Sequence, residues 1–331
     1  MCGISGLVTK SNYSLIKPDS ILFKMMDNIR HRGPDDEGCV FINRHRATWK
    51  AFASEKSPWS VQKMLGAATN ASYWVERNCP DLAMSHCRFA IIRPTPEGHQ
   101  PFWDSNHQIC MVFNGELYNY VELRKELEAA GCVFKTKTDT EVLVEAYRVW
   151  GVACFKQFNG MWALAIYDFK RRELLLSRDR TGERPLYWVR RPDMICFASE
   201  IKALLSDQTV YRSSDVNTDA AYAFLCQSVS DFDDNTFFQG IQRVPPASIV
   251  RISLANTVSI ERFWQAPVMR LETLDTQRIP VLCEELRELL KSAVKLRLRA
   301  DVPLNLALSG GLDSSSIVAV ASELLGPGVD T

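Results

Sequence analysis

The first eight residues, MCGISGLV (1–8), decide how the rest of this sequence is interpreted. The apolar run that starts at Gly3 has the length of a β-strand. A small residue after Met1 is the usual condition for removal of the initiator methionine, which would make Cys2 the first residue. Its thiol and α-amine have reference pKa values of about 8.5 and about 7.7 to 8.0, so the amine can accept the thiol proton near neutral pH. The segment therefore predicts a strand headed by a nucleophile with its own base. The alternative is that a small residue at position 2 serves only methionine removal.

Length, charge and hydropathy limit the classes of protein that remain. At roughly 100 to 200 residues per domain, the 331 residues predict two domains. The 39 Lys and Arg residues balance 39 Asp and Glu residues, which excludes binding of nucleic acid or an anionic membrane by bulk charge. No apolar run approaches the roughly 18 residues that a membrane-spanning helix needs. We therefore expect neither a nucleic-acid nor a membrane partner.

The ten cysteines are spread almost evenly along the chain and never form a C-x-x-C pair. This spacing disfavours a zinc ribbon or a thioredoxin-like site. The sequence also starts without the charged and apolar segments of a secretion signal. We therefore expect a cytoplasmic protein in which the thiols stay reduced.

Up to about Ser206, short apolar runs alternate with helical patterns, which predicts an α+β fold of two sheets with helices outside. From 207 to 280 the pattern is less regular, and we expect a connecting segment. The predicted helices are 121–130 and 139–150, and the predicted strands are 3–8, 109–113, 161–167 and 174–177.

The pattern changes near Ile279, where apolar residues recur at helical spacing in a charged stretch. It predicts an amphipathic helix over 281–299, then a strand over 304–308, the segment SGGLDSSS at 309–316, and a helix over 317–325. A Walker A loop needs a lysine, and none follows Leu304. A glycine-rich segment between a strand and a helix is nevertheless a setting in which backbone N–H groups bind phosphate.

Further motifs follow the first segment in order. They are RHRGPDDEG (30–38), HCRFAI (86–91), GHQP (98–101), FNGELYN (113–119), TDTE (138–141), NGM (159–161), RDR (178–180), PLY (185–187) and ASEIK (198–202). Together with MCGISG they closely resemble the class II glutamine amidotransferase domain of the asparagine synthetase B family, and the resemblance covers essentially the whole chain. It implies an N-terminal-nucleophile αββα sandwich over residues 2–206 that hydrolyses glutamine to glutamate and ammonia.

The resemblance implies roles for charged residues in these motifs. Cys2 would be the catalytic nucleophile. Arg88 would bind the α-carboxylate of glutamine, for which a bidentate guanidinium is suited. Asp139 would bind the substrate ammonium, with help from Glu116. Outside such motifs, Arg88 would indicate a surface salt bridge and Asp139 a charge at a helix N-terminus; for Asp139 the two roles are compatible.

The resemblance also implies an oxyanion hole. Asn114 and Gly115 would form it with a side-chain amide and a backbone N–H, and both would contact glutamine, as would Phe89 and Ile91. An isolated Asn-Gly pair would instead indicate a turn. Because the α-amine supplies the base, we expect three histidines to pack or to order loops: His31, His86 and His99.

The segment after 308 resembles the pyrophosphate-binding loop of the family's synthetase domain, which uses ATP. It would begin an α/β adenine-nucleotide domain over residues 281–331. ATP and Mg²⁺ would be substrate and counter-ion, with no prosthetic group, and Asp313 would assist Mg²⁺. The implied ATP-binding residues are Leu308, Ser309, Gly310, Gly311, Leu312, Asp313, Ser314 and Ser315.

The acceptor of the ammonia stays open. The family reaction makes an acyl-adenylate, from aspartate by default, which ammonia then attacks. The spacing between Gly38 and His86 is longer than in the compact bacterial enzyme, and members with such an insertion include enzymes that amidate sugars or peptides. The segment TGERP (181–185) also departs from the usual LGIKP pattern.

The sequence stops soon after the SGGLDSS segment, so we expect a truncated synthetase domain, because one strand and two helices cannot form a doubly wound sheet. Two alternatives remain. The chain is a non-catalytic or regulatory fragment that assembles through the helix at 281–299, or it is an incomplete gene product. The resemblance also suggests a homodimer, with glutamine, ATP and aspartate or another carboxylate as small-molecule partners.

Overall fold

Two β-sheets lie face to face in the computed structural model, which describes residues 1–10, 16–66, 70–211, 216–230, 233–268 and 276–326. All strand pairings in these ranges are antiparallel. The strands are β1 Gly3–Thr9, β2 Asp36–Asn43, β3 Thr48–Ala53, β4 Leu82–Arg88, β5 Phe102–Trp103, β6 Ile109–Leu117, β7 Gly160–Asp168, β8 Glu173–Arg178, β9 Tyr187–Arg190, β10 Met194–Ala198, β11 Ile241–Arg243, β12 Ser248–Ile252 and β13 Val258–Arg262.

The strand order places β1 in the middle of one sheet. That sheet runs β11-β9-β10-β1-β4-β2-β3, and the other runs β13-β12-β8-β7-β6-β5. The predicted strands at 3–8, 109–113, 161–167 and 174–177 correspond to β1, β6, β7 and β8. Of these, β1, β7 and β8 are one or two residues longer than expected, and β6 is four residues longer. β1 is therefore paired on both edges, with β4 and with β10.

Alternating side chains build three apolar layers. In β1, Ile4 and Val8 lie in the layer between the sheets, whereas Leu7 lies in the layer beneath the helices of its own sheet. In β6, Val112 faces the inter-sheet layer and Phe113 the outer one. Because both faces of these strands are buried, apolar residues occupy consecutive positions, as at 6–8 in β1 and 109–113 in β6, rather than alternating with polar ones.

Helices cover the outer face of each sheet. Those packed on the first sheet are α1, α3 and α6, and those on the second are α4 and α5. The predicted αββα sandwich is therefore confirmed.

In the described ranges, no helix has both the length and the apolar character needed to cross a membrane. The helices are α1 Pro18–Ile29, α2 Trp59–Leu65, α3 Ala71–Asn78, α4 Tyr120–Ala129, α5 Asp139–Trp150, α6 Ile201–Leu204, α7 Thr218–Gln227, α8 Ile279–Arg297 and α9 Leu312–Leu325.

The first compact unit extends past the boundary that we expected at residue 206. It comprises residues 1–90 and 95–265, and residues 91–94 group with 266–331. The reason is long-range pairing: β11 extends the first sheet by pairing with β9, and β12 extends the second by pairing with β8. Part of the segment expected to connect two domains therefore completes both sheets.

The second unit contains α8 and α9, which are joined by an ion pair of 2.7 Å between Lys291 Nζ and Glu323 Oε1. The helix expected over 281–299 is confirmed, and its apolar residues Leu286 and Leu289 are 67% and 69% exposed. The strand expected over 304–308 is wrong, because these residues pair with no strand in the described part of the chain.

We predict that Gly6→Ala destabilises the protein by about 1 to 3 kcal/mol, as overpacking of a core does. A Cβ at Gly6 would meet the Phe197 ring and lie 2.6 Å from the Ala83 carbonyl oxygen. Urea unfolding followed by circular dichroism measures the effect. Lys50→Ala, on the exposed face of the edge strand β3, is the control and should change stability by less than about 0.5 kcal/mol. Equal stability of the two variants would contradict the packing argument.

Candidate active site

Backbone contacts fix the segment that contains Cys2. The Cys2 carbonyl accepts a hydrogen bond of 2.9 Å from Arg32 Nε, and Arg32 Nη1 lies 2.9 Å from Glu200 Oε1. Two residues further on, the Ile4 N–H donates to Ser199 Oγ at 2.9 Å. Cys2 thus stands at the start of β1, held from the side by residues of two other motifs.

The Cys2 thiol lies in a half-buried setting with hydrogen-bonding and cationic neighbours. The Phe89 N–H donates to its sulfur at 3.3 Å. Burial raises the pKa of the thiol, and the Phe89 N–H, the terminal amine and the charges of Arg88 and Arg184 oppose this rise. Burial also lowers the pKa of the amine of Met1, which still precedes Cys2 here. A partly desolvated amine favours the neutral form, which is the form able to accept a proton.

Arg88 stands at the end of β4, in the strand next to β1. Its side chain is buried, and its Nη1 donates to the Thr95 carbonyl at 2.7 Å. Gly98 packs directly on the guanidinium, so that any Cβ at this position would overlap it. Burial lowers the pKa of Arg88, and the charges of Cys2 and Asp139 are among those that oppose this. Arg88 therefore interacts electrostatically with both Cys2 and Asp139.

Asn114 and Gly115 lie within β6, not in a turn. Asn114 is 1% exposed, and neither its Nδ2 nor its Oδ1 has a hydrogen-bond partner among the described residues. Leaving a buried amide unpaired costs roughly 1 to 3 kcal/mol, so an arrangement of this kind fits a group that awaits a ligand. Gly115 has no room for a side chain, because a Cβ would overlap the Met161 carbonyl oxygen.

The β6 residues are tied to the strand that carries Arg88. His86 Nε2 lies 3.1 Å from the carbonyl oxygen of Phe113, which directly precedes Asn114. In the β1–β4 register, Ile4 is opposite His86 and Gly3 is opposite Cys87. The structure thereby brings the start of β1, the end of β4 and the Asn-Gly pair of β6 into one region.

Two carboxylates lie on the other side of this region. Asp139 begins α5, is 5% exposed, and accepts the Leu117 N–H at 3.1 Å through Oδ2. Burial raises the pKa of Asp139 to about 6. Burial also raises the pKa of Glu116, as does the charge of Asp139, whereas Arg184, 3.9 Å from Glu116 Oε1, lowers it. Among the described residues, Asp139 forms no salt bridge, and the ion pair of Glu116 is the 3.9 Å contact with Arg184.

The remaining predicted residues of this region differ in their placement. Phe89 is 44% exposed directly after Arg88. Ile91 falls in the second unit, where its carbonyl accepts the Asp301 N–H at 3.2 Å.

Each of the three histidines contacts a backbone carbonyl or a carboxylate of another segment. His86 is buried, and its burial lowers the pKa to about 3, so it is neutral at physiological pH. His99 Nδ1 lies 2.7 Å from Asp36 Oδ2, and His31 Nε2 lies 2.8 Å from Glu200 Oε1. These contacts agree with the expectation that the histidines pack or order loops.

Two residues of this region were not singled out from the sequence. Arg184 reaches Glu116 and Met1, although it lies in the TGERP segment that departs from the family pattern. Gly98 packs on Arg88 from a motif ten residues away. Both contacts join residues that are far apart in the sequence or on different elements, so no local pattern indicates them.

Residues 308–311 form an exposed loop, and residues 312–315 are the first turn of α9, so the helix expected over 317–325 begins five residues earlier, at Leu312. Ser309 Oγ and Ser314 Oγ lie 3.0 Å apart, and Gly310 has a φ of +82°, a conformation that favours glycine. Asp313 lies in the first turn of α9. Over the described ranges, no group of three or more His, Cys, Asp or Glu residues could hold a metal ion, so Asp313 would need the phosphates of a ligand to complete such a site.

Comparison with known proteins places these features in context. The family profile described as a glutamine amidotransferase domain matches residues 63–264, and the profile described as asparagine synthase matches residues 285–331. The asparagine synthetase [glutamine-hydrolyzing] 1 of Bacillus subtilis is 30% identical over 325 residues, which are 98% of this chain and 44% of the relative. The amidase chry2 of Gibberella zeae is 28% identical over 336 residues, which are 99% of this chain and 44% of that protein.

A solved structure supports the fold alone. The glutamine phosphoribosylpyrophosphate amidotransferase from B. subtilis, complexed with ADP and GMP, superposes with a TM-score of 0.56 at 21% identity. The match covers 80% of this chain and 50% of the other. The chain spans about half the length of the curated relatives that it matches.

We predict that Asp139→Asn stabilises the protein at pH 7.5. Since the pKa of Asp139 is raised from 3.8 to about 6, the folded chain holds a proton that the unfolded chain has released between these values. Stability is therefore lost as pH rises through this interval, and the loss, up to about 3 kcal/mol, persists above pH 6. Asparagine mimics the neutral carboxyl and should remove the loss.

Thermal unfolding at pH 4 and pH 7.5 measures this effect. The gain should be clear at pH 7.5 and small at pH 4. Asp193→Asn, at an exposed position, is the matched control and should show no such difference. An Asp139→Asn protein that is less stable than the parent at pH 7.5 would contradict the assigned charge state.

Proposed function

The chain belongs to the glutamine amidotransferase domain family, and on this premise we propose that Cys2, freed by removal of Met1, hydrolyses glutamine to glutamate and ammonia. The observation that carries the proposal is the buried amide of Asn114, which has no partner among the described residues. Such a donor fits an oxyanion hole, where a preorganised N–H meets charge that develops only during the reaction. The half-buried Cys2 thiol and its amine supply the nucleophile and base.

The proposed first step transfers the thiol proton to the Cys2 amine while the sulfur attacks the side-chain amide carbon of glutamine. Asn114 Nδ2 and the Gly115 N–H stabilise the oxyanion. The protonated amine then gives its proton to the leaving nitrogen, ammonia departs, and a thioester remains on Cys2. Water, activated by the same amine, hydrolyses the thioester to glutamate.

The α-carboxylate and the α-ammonium of glutamine each meet a side chain of opposite charge in the proposed complex. The Arg88 guanidinium, oriented by the Thr95 carbonyl and by Gly98, binds the α-carboxylate. Asp139 binds the α-ammonium, with Glu116 beside it. The ammonium would give the buried Asp139 carboxylate a cationic partner and so lower its pKa. Binding would thereby offset the free-energy cost of burying that charge. Phe89 and Ile91 are proposed as further glutamine contacts.

We further propose that residues 281–331 contribute to an ATP-dependent half of the reaction. Residues 308–315 would bind the pyrophosphate part of ATP, and Asp313 would bind Mg²⁺ together with those phosphates. Ammonia would then attack an acyl-adenylate of aspartate. A sugar or peptide carboxylate is the alternative acceptor, since the relatives include both an asparagine synthetase and an amidase. A homodimer, and a purely regulatory role for this chain, remain as hypotheses for the same region.

We predict that Cys2→Ala abolishes glutamine hydrolysis, because it removes the attacking sulfur. Release of glutamate from glutamine by the Met1-processed protein is the measurement, and intact mass verifies the processing. Cys226→Ala, which removes an exposed thiol at the end of α7, should retain parental activity. Undiminished glutamate release by Cys2→Ala would overturn the proposed function.

We predict that Asn114→Ala lowers kcat for glutamine hydrolysis about 10²- to 10³-fold with little change in KM, since the oxyanion exists only beyond the ground state. Folding should be unimpaired, because the lost amide leaves no partner unpaired among the described residues. Asn106→Ala, at an exposed loop position, is the matched control. A fall in kcat of less than about threefold would remove Asn114 from the oxyanion hole.

A further inference from the structure

Two buried charged side chains form hydrogen bonds with the backbone of the loop that carries Arg184. Asp179, fully buried, accepts the backbone N–H groups of Glu183 at 2.9 Å and Arg184 at 3.1 Å. The neighbouring Arg178 donates from Nε to the Arg184 carbonyl at 2.9 Å and from Nη1 to the Val244 carbonyl at 2.8 Å. Both the N–H and the carbonyl of Arg184 are therefore fixed by buried charged side chains.

The Arg184 side chain points from this loop to the chain terminus. It is 11% exposed, its Nη2 lies 3.9 Å from Glu116 Oε1, and its Nη1 donates to the sulfur of Met1. Its Nε is buried and has no hydrogen-bond partner in the described part of the chain. The hydrogen bonds of this guanidinium are weak, because one donor is unused and another meets a thioether, which is a poor acceptor. Removal of Met1 also removes the thioether.

The other cations near the terminus, Arg32 and Arg88, each donate hydrogen bonds to oxygen acceptors. The terminal amine interacts electrostatically with Arg32, Arg184, Asp35 and Glu116, and the Cys2 thiol with Arg88 and Arg184. Arg32 is bound to Glu200 and to the Cys2 carbonyl, and Arg88 to the Thr95 carbonyl. Asp35 acts in the opposite sense, because a nearby carboxylate favours a protonated amine.

We propose that Arg184 is a positioning residue for the terminal nucleophile: its fixed guanidinium orients Glu116 and provides a positive charge beside the thiol and amine of Cys2 once Met1 has gone. A positive charge beside an amine disfavours the ammonium, and beside a thiol it favours the thiolate. The first effect keeps the resting amine neutral and able to accept the thiol proton, and the second stabilises the thiolate that attacks. The inference rests on the proposed function only in naming Cys2 as the nucleophile.

The test measures the reactivity of Cys2 directly, without glutamine. The rate of Cys2 carbamidomethylation by iodoacetamide is followed from pH 5.5 to 10 by peptide mapping, in the Met1-processed parent and in Arg184→Gln, Arg184→Met and Arg184→Lys. The midpoint should move upwards by roughly 0.5 to 1 pH unit in the Gln and Met variants, as for loss of one partly screened neighbouring charge. The Lys variant should keep the parental midpoint.

Arg180→Gln is the matched control on the same loop, since Arg180 instead donates to the Lys156 carbonyl and stacks on Trp264. Its midpoint should equal that of the parent. A parental midpoint in both Arg184→Gln and Arg184→Met, with thermal unfolding showing both folded, would overturn the proposal, and so would an equal shift in Arg180→Gln. Glutamate release is measured in parallel: a parent that hydrolyses no glutamine contradicts the proposed function, while the alkylation midpoints still decide the role of Arg184.

Discussion

The pairing of β1 with a strand on each side is the constraint on which the rest of the site depends. β1 begins directly after Cys2, so the pairing of this strand fixes where the nucleophile lies. Its register with β4 puts Gly3 opposite Cys87, so Cys2 and Arg88 fall at the same end of adjacent strands. A slip of one residue would move every side chain of β1 to the opposite face of the sheet. Burial on both faces fixes this register, since Ile4 and Leu7 fill different apolar layers.

The same region is assembled at a cost to the stability of the folded chain. Asp139 and Glu116 are buried carboxylates whose charged forms are disfavoured, and the amide of Asn114 has no partner among the described residues. On the proposed function, a zwitterionic ligand with an amide side chain would offset this cost. Its ammonium would pair with the carboxylates, and its side-chain carbonyl oxygen would accept from the Asn114 amide. The apolar layers on either side of each sheet provide the stability that allows such an arrangement.

The sequence predicted what local pattern encodes and missed what long-range contacts decide. The helix expected over 139–150 has those bounds because Thr138 caps it and Gly151 ends it. Asn114-Gly115 would indicate a turn by itself, but pairing of β6 with β7 keeps both residues in a strand. The apolar run at 304–308 forms no strand because no described strand pairs with it, whereas short β11 and β12 form because β9 and β8 do. The contact of Arg184 with Glu116 joins residues 68 positions apart and leaves no local signature.

The packing of Gly98 on Arg88 has a consequence for comparing this chain with others. Position 98 admits only a hydrogen atom, because the guanidinium occupies the place of a side chain. A relative with any larger residue there cannot hold its arginine in this conformation, even if its cysteine and its Asn-Gly pair are intact. The conformation of Arg88 in such a chain therefore depends on position 98 as much as on the arginine itself.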